Sequence, residues 1–557
     1  MPTWQELAAD EKQRQQASIP KDWLITSPPD TQFDVTNVPA SCGLLTPFEL
    51  EVTETDDVGL LLARLAAGEL SSVDATLAFY KRAVVAHQVT NCLTEIYVER
   101  ALARAKECDD YLKAQGKPMG ALHGLPISIK DQFCMKGLET TIGLVWRIGN
   151  YPERDATLVT ILYEAGAVPF VRTNVPQTLM WVETFNNVFG RTVNPFNRNL
   201  TCGGSSGGEG ALVAMKGSPL GVGSDIAGSI RVPSAFNGLF GLRPSANRFP
   251  LEGTAGTMEG FDSVPPVLGP MTRSISGVKA FTKAVIDAKP WTMDPLVVRK
   301  EWDEGAYQLK EHGEGKDLCF AIMWDNGCVL PHPPIRRALE ETKRALLAKG
   351  FKVIDWPEFN YAELCTPVLR MWAGGAGEDF AAHAAKSGEP LHKTLTPEGK
   401  SVGFEWLPQD VHLSVYESWQ LQKKKTGMRK EHLDLWRSTA SFTGTGRPID
   451  AIITPAAAYA AVPHGRNIDA SYTMTWNVLD YTTCIFPVSK VDPTVDAKQS
   501  RGSFFNDVDE FVHNLYDPST WVNAPVALQL VGQNLEEEAV IRLTGIVDDA
   551  LESYRKK

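Results

Sequence analysis

Three short segments hold residue types that could carry out acyl transfer without a histidine. The first is His123-Gly124-Leu125-Pro126-Ile127-Ser128-Ile129-Lys130-Asp131. Apolar and polar side chains alternate here with the period of a strand, so Ile127 and Ile129 face one side and Ser128 and Lys130 the other. A lysine at a strand end, followed by a loop, can be held in a cleft; taken alone, the segment reads as a plain surface lysine. The second is Cys202-Gly203-Gly204-Ser205-Ser206-Gly207-Gly208. A flexible linker would fit its composition, but Glu209 to Met215 resumes a helix-compatible pattern at once. A phosphate cradle would want a lysine in the Walker position, and none follows. Ser205 also matches Gly-x-Ser-x-Gly, the nucleophile elbow of α/β-hydrolases, which requires a strongly apolar strand before the serine. Asn197 to Cys202 reads instead as loop.

The third segment is Ser224-Asp225-Ile226-Ala227-Gly228-Ser229-Ile230-Arg231, after the turn Leu220-Gly221-Val222-Gly223. Small residues at 227 and 228 let a ligand approach the backbone. Consecutive N–H groups from Ile226 to Ser229 could hold an oxyanion, each donor being worth about 2.7–4 kcal/mol in measured cases. A tight strand–helix turn without chemistry is the alternative. An unperturbed lysine near pKa 10.4 is a poor base at neutral pH, but burial can lower it by several units.

The elements around these segments follow from periodicity. Residues 1–56 form an extension, with a helix over Trp4–Gln16 and an irregular Pro-, Asp- and Thr-rich stretch over 25–39. A helix over Asp57–Ala67 stops at Gly68. A second opens on the capping-box pattern Ser71-Ser72-Val73-Asp74 and carries Val73, Leu77, Tyr80 and Val84 on one face. Strands are expected over Ala167–Val171, Leu318–Ile322, Phe351–Asp355, Ala451–Thr454, Thr483–Val488 and Val526–Val531. The stretch Leu318–Asp355 reads as β-α-β, with Ile335, Leu339 and Leu346 inward, so part of the sheet should be parallel. Residues 361–442 should be mainly helical. Their aromatics (Trp372, Phe380, Phe404, Trp406, Tyr416, Trp419, Trp436) read as core and cover, or in part as pocket lining. Lys423, Lys424, Lys425, Arg429 and Lys430 read as a solvated helix face.

The 557 residues carry a net charge of -12, which argues against a broad nucleic-acid-binding surface. The longest apolar runs are too short to cross a bilayer, and no secretory signal opens the chain. Nine dispersed cysteines without a Cys-x-x-Cys pair indicate reduced thiols and a cytoplasmic setting. The ten histidines form no HExxH pattern, so neither metal nor cofactor is expected.

The order and spacing of the three segments resemble the amidase signature family. The signature-like block runs from Cys202 through Pro244, and the wider resemblance covers most of the chain from residue 57, closest to fungal acetamidases and fatty-acid-amide-hydrolase-like members. Thr173-Asn174-Val175-Pro176-Gln177 and Thr192-Val193-Asn194-Pro195 resemble that group as well. The resemblance implies a single large α/β domain over 57–557, a twisted, mostly mixed sheet sandwiched by helices. It also implies a Ser-cisSer-Lys triad acting on a small-molecule amide. Lys130 matches the general base, Ser205 the proton-relaying serine and Ser229 the nucleophile. Ile226, Ala227, Gly228 and Ser229 match the oxyanion loop. Ser206 would help hold the lysine, and Asp225 and Arg231 would brace the loop. Leu179, Met180 and Trp181 would shape the acyl pocket, Trp181 being able to shorten it; packed core is the other reading of all three. Many members have glycine where Ala227 stands, so this turn must tolerate a Cβ. The N-terminal arm would help form a homodimer. Two other readings remain: a Ser-His-Asp hydrolase using Ser205 with His464 or His513, and an amidase-like subunit of an amidotransferase.

Overall fold

The apolar runs bounded by turn residues become strands of one sheet. The computed structural model describes residues 2–392 and 412–556; Phe404 and Trp406 lie outside them. In chain order the strands are β1 (Leu93–Ile96), β2 (Pro126–Lys130), β3 (Val168–Thr173), β4 (Leu220–Asp225), β5 (Phe240–Arg243), β6 (Val267–Thr272), β7 (Cys319–Ile322), β8 (Lys352–Asp355), β9 (Ala451–Pro455), β10 (Thr483–Lys490) and β11 (Pro525–Val531). They pair in the order β1-β3-β2-β4-β6-β5-β10-β11-β9-β7-β8. The sheet is mixed: β2 runs parallel to β3 and β4, and β7 parallel to β8 and β9. The other pairs are antiparallel.

The helices used below are α1 (Trp4–Ala17), α2 (Val58–Ala67), α3 (Ser72–Thr90), α4 (Gly207–Ala214), α5 (Pro333–Ala348), α6 (Tyr361–Ala385), α7 (Val415–Ser438), α8 (Ser471–Leu479), α9 (Asp507–Leu515) and α10 (Glu537–Arg555). They flank the sheet, and two large apolar clusters fill the interior, one built around Phe79, Ile127 and Phe170, the other around Phe320, Trp372 and Trp476. The expected β-α-β unit is β7–α5–β8, in parallel register from Cys319↔Lys352 to Ile322↔Asp355. Ile335, Leu339 and Leu346 of α5 are buried, as its periodicity requires. Asp57 caps α2 by accepting from the N–H groups of Gly59 and Leu60, and Gly68 ends it in the left-handed region. Helix α1 docks on its own chain: Gln15 Nε2 donates to the Leu93 carbonyl at 2.6 Å.

Four expectations need correction. Helix α3 has no single apolar face: Tyr80 and Val84 are buried, Val73 and Leu77 only half-buried, and Ala75, Ala78, Ala83 and Ala86 are covered as well. The helix is wedged between neighbouring helices and the sheet, so small residues are buried on several sides. Residues 197–201, read as loop, form a short strand paired with Val193–Asn194 outside the main sheet. Of the aromatics in 361–442, Trp372, Phe380 and Trp436 are buried, but Tyr416 and Trp419 on α7 are 65% and 64% exposed. The basic face of α7 is not wholly solvated either. Lys425 is buried and donates to the Ser263 carbonyl, and Arg429 donates to the Val478 carbonyl at 2.6 Å.

Candidate active site

Strand β2 ends on Lys130, and its parallel neighbour β4 brings Ser224 alongside it. The lysine is fully buried. Its Nζ lies 2.7 Å from Ser205 Oγ and 2.7 Å from Ser224 Oγ. Ser224 in turn donates to Gln132 Oε1 at 2.5 Å. That last bond fixes the polarity of the others. With its proton committed to Gln132, Ser224 can only accept from the lysine, and the lone pair of a neutral amine is left for the Ser205 hydroxyl. Burial lowers the Lys130 pKa to about 7, against the opposing pull of Asp225 and Glu209. The plain surface-lysine reading of this segment is therefore overturned.

Ser205 sits in the glycine turn before α4, and the Gly204–Ser205 peptide is cis. A Cβ at Gly204 would fall 2.5 Å from the Glu183 carbonyl oxygen, so no larger residue fits the turn. Ser206, expected to hold the lysine, does so only at one remove. Its Oγ accepts from the Ser224 N–H and donates to the Ser224 carbonyl, both at 3.3 Å, and Ser224 makes the contact to Lys130. Glu209, in the first turn of α4, is buried beneath the lysine. It accepts from Thr173 Oγ1 at 2.8 Å and from Ser128 Oγ. Burial raises its pKa to about 8, although these hydroxyls and Lys130 oppose the shift. Both groups are thus balanced near neutrality, and a protonated Glu209 favours an unprotonated lysine.

The turn from Asp225 to Arg231 is built around a fully buried ion pair. Arg231 grips Asp225 with two hydrogen bonds, 2.9 Å from Nη2 and 3.0 Å from Nε. Helix α8 supports the pair: Asn477 Nδ2 donates to Asp225 at 2.9 Å, and Arg231 Nη1 donates to the Thr473 carbonyl at 2.8 Å. Burial alone would raise the Asp225 pKa, but the Arg231 charge and these hydrogen bonds hold it well below the usual carboxylate range. Asp225 also takes the Gly228 N–H at 2.8 Å. Of the N–H groups expected to hold an oxyanion, that of Gly228 is thus already engaged, while those of Ile226, Ala227 and Ser229 have no acceptor among the described residues. The positive φ of the turn (131°) falls on Gly228, where a Cβ would meet Thr473 Oγ1 at 2.3 Å. Ala227 keeps an ordinary φ, and its Cβ is accommodated.

Ser205, Ser224, Ser229 and Gln132 line one cavity of about 380 Å3. Ser229 Oγ makes no hydrogen bond among the described residues and faces the cavity. Leu179 and Met180 line it as well. Trp181 does not: it is buried behind the wall, its ring stacked on His392 at 4.0 Å between centroids. Ile226 lines the cavity too, and further apolar wall comes from Leu251, Met258, Phe261 and Leu296, which no motif in the sequence marked. Among the described residues, none of the aromatics of 361–442 named above lines it. His464 and His513 lie elsewhere: His464 Nε2 is bonded to the Arg198 carbonyl, and His513 lines a separate cleft. Cys202 is buried and its thiol is pushed up to about 12 by burial, which suits packing rather than nucleophilic attack. Among the described residues no cluster of His, Cys, Asp and Glu could hold a metal, and no helix is long and apolar enough to cross a membrane.

Comparison with known proteins identifies the family of the fold. A family model described as Amidase matches residues 74–541. The chain is 41% identical over 552 residues to an acetamidase of Aspergillus oryzae, covering 99% of each. It is 40% identical to an acetamidase of Emericella nidulans, covering 97% of each. The structure superposes on that of a fatty acid amide hydrolase with a TM-score of 0.91 at 34% identity, covering 98% of this chain and 95% of the other. The fold, the matched length and these relatives place the chain in the amidase signature family of amide hydrolases.

Proposed function

We propose that this amide hydrolase acts through Lys130, Ser205 and Ser229, with Ser229 as the nucleophile. The observation that carries the reading is the buried Lys130 Nζ, 2.7 Å from the Oγ of Ser205, which lines the cavity onto which the unbonded hydroxyl of Ser229 also opens. Neutral Lys130 accepts the Ser205 proton, and Ser205 takes the proton of Ser229 as Ser229 Oγ attacks the amide carbon. The oxyanion is held by the N–H groups of Ile226, Ala227 and Ser229. When the tetrahedral intermediate collapses, Ser205 passes a proton to the departing nitrogen, and ammonia or an amine leaves. Water then attacks the acyl-serine, giving its proton to the same relay, and the carboxylic acid departs.

The cavity also bears on the substrate. Acetamide, suggested by the names of the relatives, would leave most of about 380 Å3 unfilled. Its lining by Leu179, Met180, Ile226, Met258 and Phe261 suits an amide with a longer apolar acyl group. At about 0.8 kcal/mol per buried methylene, kcat/KM should rise about fourfold per added CH2 along a short series of acyl anilides.

The test is labelling with a serine-reactive fluorophosphonate. Wild type is compared with Ser229→Ala, Ser205→Ala, Lys130→Ala and a His464→Ala/His513→Ala double variant. Labelling should vanish in Ser229→Ala and persist in the histidine variant. Labelling that survives Ser229→Ala but is lost with Ser205 or the histidines would overturn the mechanism.

A further inference from the structure

A second cleft, sharing no lining residue with the catalytic cavity, lies where the start of α5 meets α9. It is lined by Arg336, Lys498, Arg501, His513 and Tyr516 around the ring of His332. Arg501 is neutralised by Asp509, with bonds of 2.8 and 2.7 Å, and Lys498 Nζ donates to the Asn514 carbonyl at 3.0 Å. Arg336 makes no ion pair and no side-chain hydrogen bond among the described residues. Pro333 and Pro334 occupy the first two positions of α5 and have no N–H, so recognition here must come from side chains.

His332 supplies an independent sign of a ligand. It is 4% exposed, and its Nε2 donates to the Val512 carbonyl at 2.8 Å. That bond fixes the tautomer, so Nδ1 is a hydrogen-bond acceptor. Nδ1 is buried and has no partner among the described residues. Burial lowers the ring's pKa to about 4, so it stays neutral and remains an acceptor near neutral pH. A buried acceptor without a donor is costly, and its residue lines the same cleft as the unpaired guanidinium of Arg336. The ligand that satisfies both has negative charge and an O–H. A cavity needs roughly 10–15 Å3 to hold one water, so the cleft, at about 60 Å3, has room for a small polyatomic ion.

We propose that this cleft binds inorganic hydrogen phosphate, with Arg336 and Lys498 meeting its charged oxygens and its hydroxyl donating to His332 Nδ1. Sulfate and phenyl phosphate have similar charge at pH 8 but no O–H, which makes them the controls. Isothermal titration calorimetry of the full chain at pH 8 and constant ionic strength should give saturable binding of phosphate. Sulfate and phenyl phosphate should bind at least tenfold more weakly. An Arg336→Gln/Lys498→Gln variant should lose at least tenfold in phosphate affinity while its amide hydrolysis, measured without phosphate, is unchanged. No saturable phosphate binding, equal affinity for sulfate in the wild type, or undiminished affinity in the variant would each overturn the proposal.

Discussion

Acidification should silence the enzyme along the titration of Lys130. From its ordinary 10.5 to about 7, the buried ammonium form loses about 5 kcal/mol relative to the neutral amine, at 1.36 kcal/mol per pH unit. The proposed relay needs the neutral form, which is half-populated near pH 7 and falls tenfold for each pH unit below. At pH 5 kcat/KM should stand about 100-fold under its plateau. A lysine left at 10.5 would instead be neutral in about one molecule in 3,000 at pH 7, and the rate would climb until pH 10. The assay is kcat/KM for an uncharged acyl anilide from pH 5 to 10, paralleled by the fluorophosphonate labelling rate, which reports the serine without product release. Glu209→Gln sharpens the test. With its pKa raised to about 8, this carboxyl is already mostly protonated along the acid limb, so the neutral amide should leave that limb near pH 7. A profile flat from pH 5 to 8, or one inflecting near 10, would refute the assignment of Lys130 as the base.

Three further outcomes follow from the geometry. Gln132→Leu frees the Ser224 proton and the polarity of the relay; kcat should fall by about ten- to hundredfold, matching the roughly 1–3 kcal/mol of an unsatisfied buried hydrogen-bonding group, with little change in KM. Arg231→Met leaves Asp225 buried without its partner, and denaturant melts should show a loss of about 3–5 kcal/mol. Because the folded pKa of Asp225 is depressed below 3.8, its contribution is present above that value and is lost as pH falls through the lower folded one; the wild type should lose that contribution in acid, and Asp225→Asn should flatten the dependence. Gly228→Ala places a Cβ against Thr473 Oγ1 at a φ of 131°. It should abolish turnover, and adding Thr473→Ala should restore little, since the backbone strain of about 1–3 kcal/mol remains.

What could be read in the sequence was whatever is local. Lys130, Ser205 and Ser229 each lie in a short segment that is ambiguous by itself; the order and spacing of the three, through the family they resemble, single these residues out, and the alternation Ile127–Lys130 assigns the lysine to one face of a strand. Ser224 and Gln132 lie in or beside the same segments, yet their part depends on the register of β2 against β4, which no local pattern states. Thr473 and Asn477 carry no local signal at all: they are ordinary polar residues of a buried helix, more than 240 positions from the turn they hold. The cavity wall from Leu251 to Phe261 was illegible for the same reason. Trp181 shows the opposite failure. It adjoins Leu179 and Met180 in the chain, but a change of direction at positive φ for Thr178 and Leu179 sends it behind the wall instead of into it. Helix α3 misled because periodicity reports one buried side and this helix has several.

The clamp of α8 on the Asp225–Arg231 pair has a consequence for biosynthesis. Every side chain proposed to take part in bond making lies within the first 229 residues, and the chain's apparatus for catalysis therefore leaves the ribosome early. Thr473 and Asn477, one helical turn apart, arrive about 240 residues later, and until then the turn at Ile226–Ser229 lacks the bonds that hold Ala227 and Asp225 in place. A nascent or truncated chain ending before residue 471 thus holds a complete set of reactive groups without the frame that aims them. Hydrolysis is therefore expected only of the completed polypeptide.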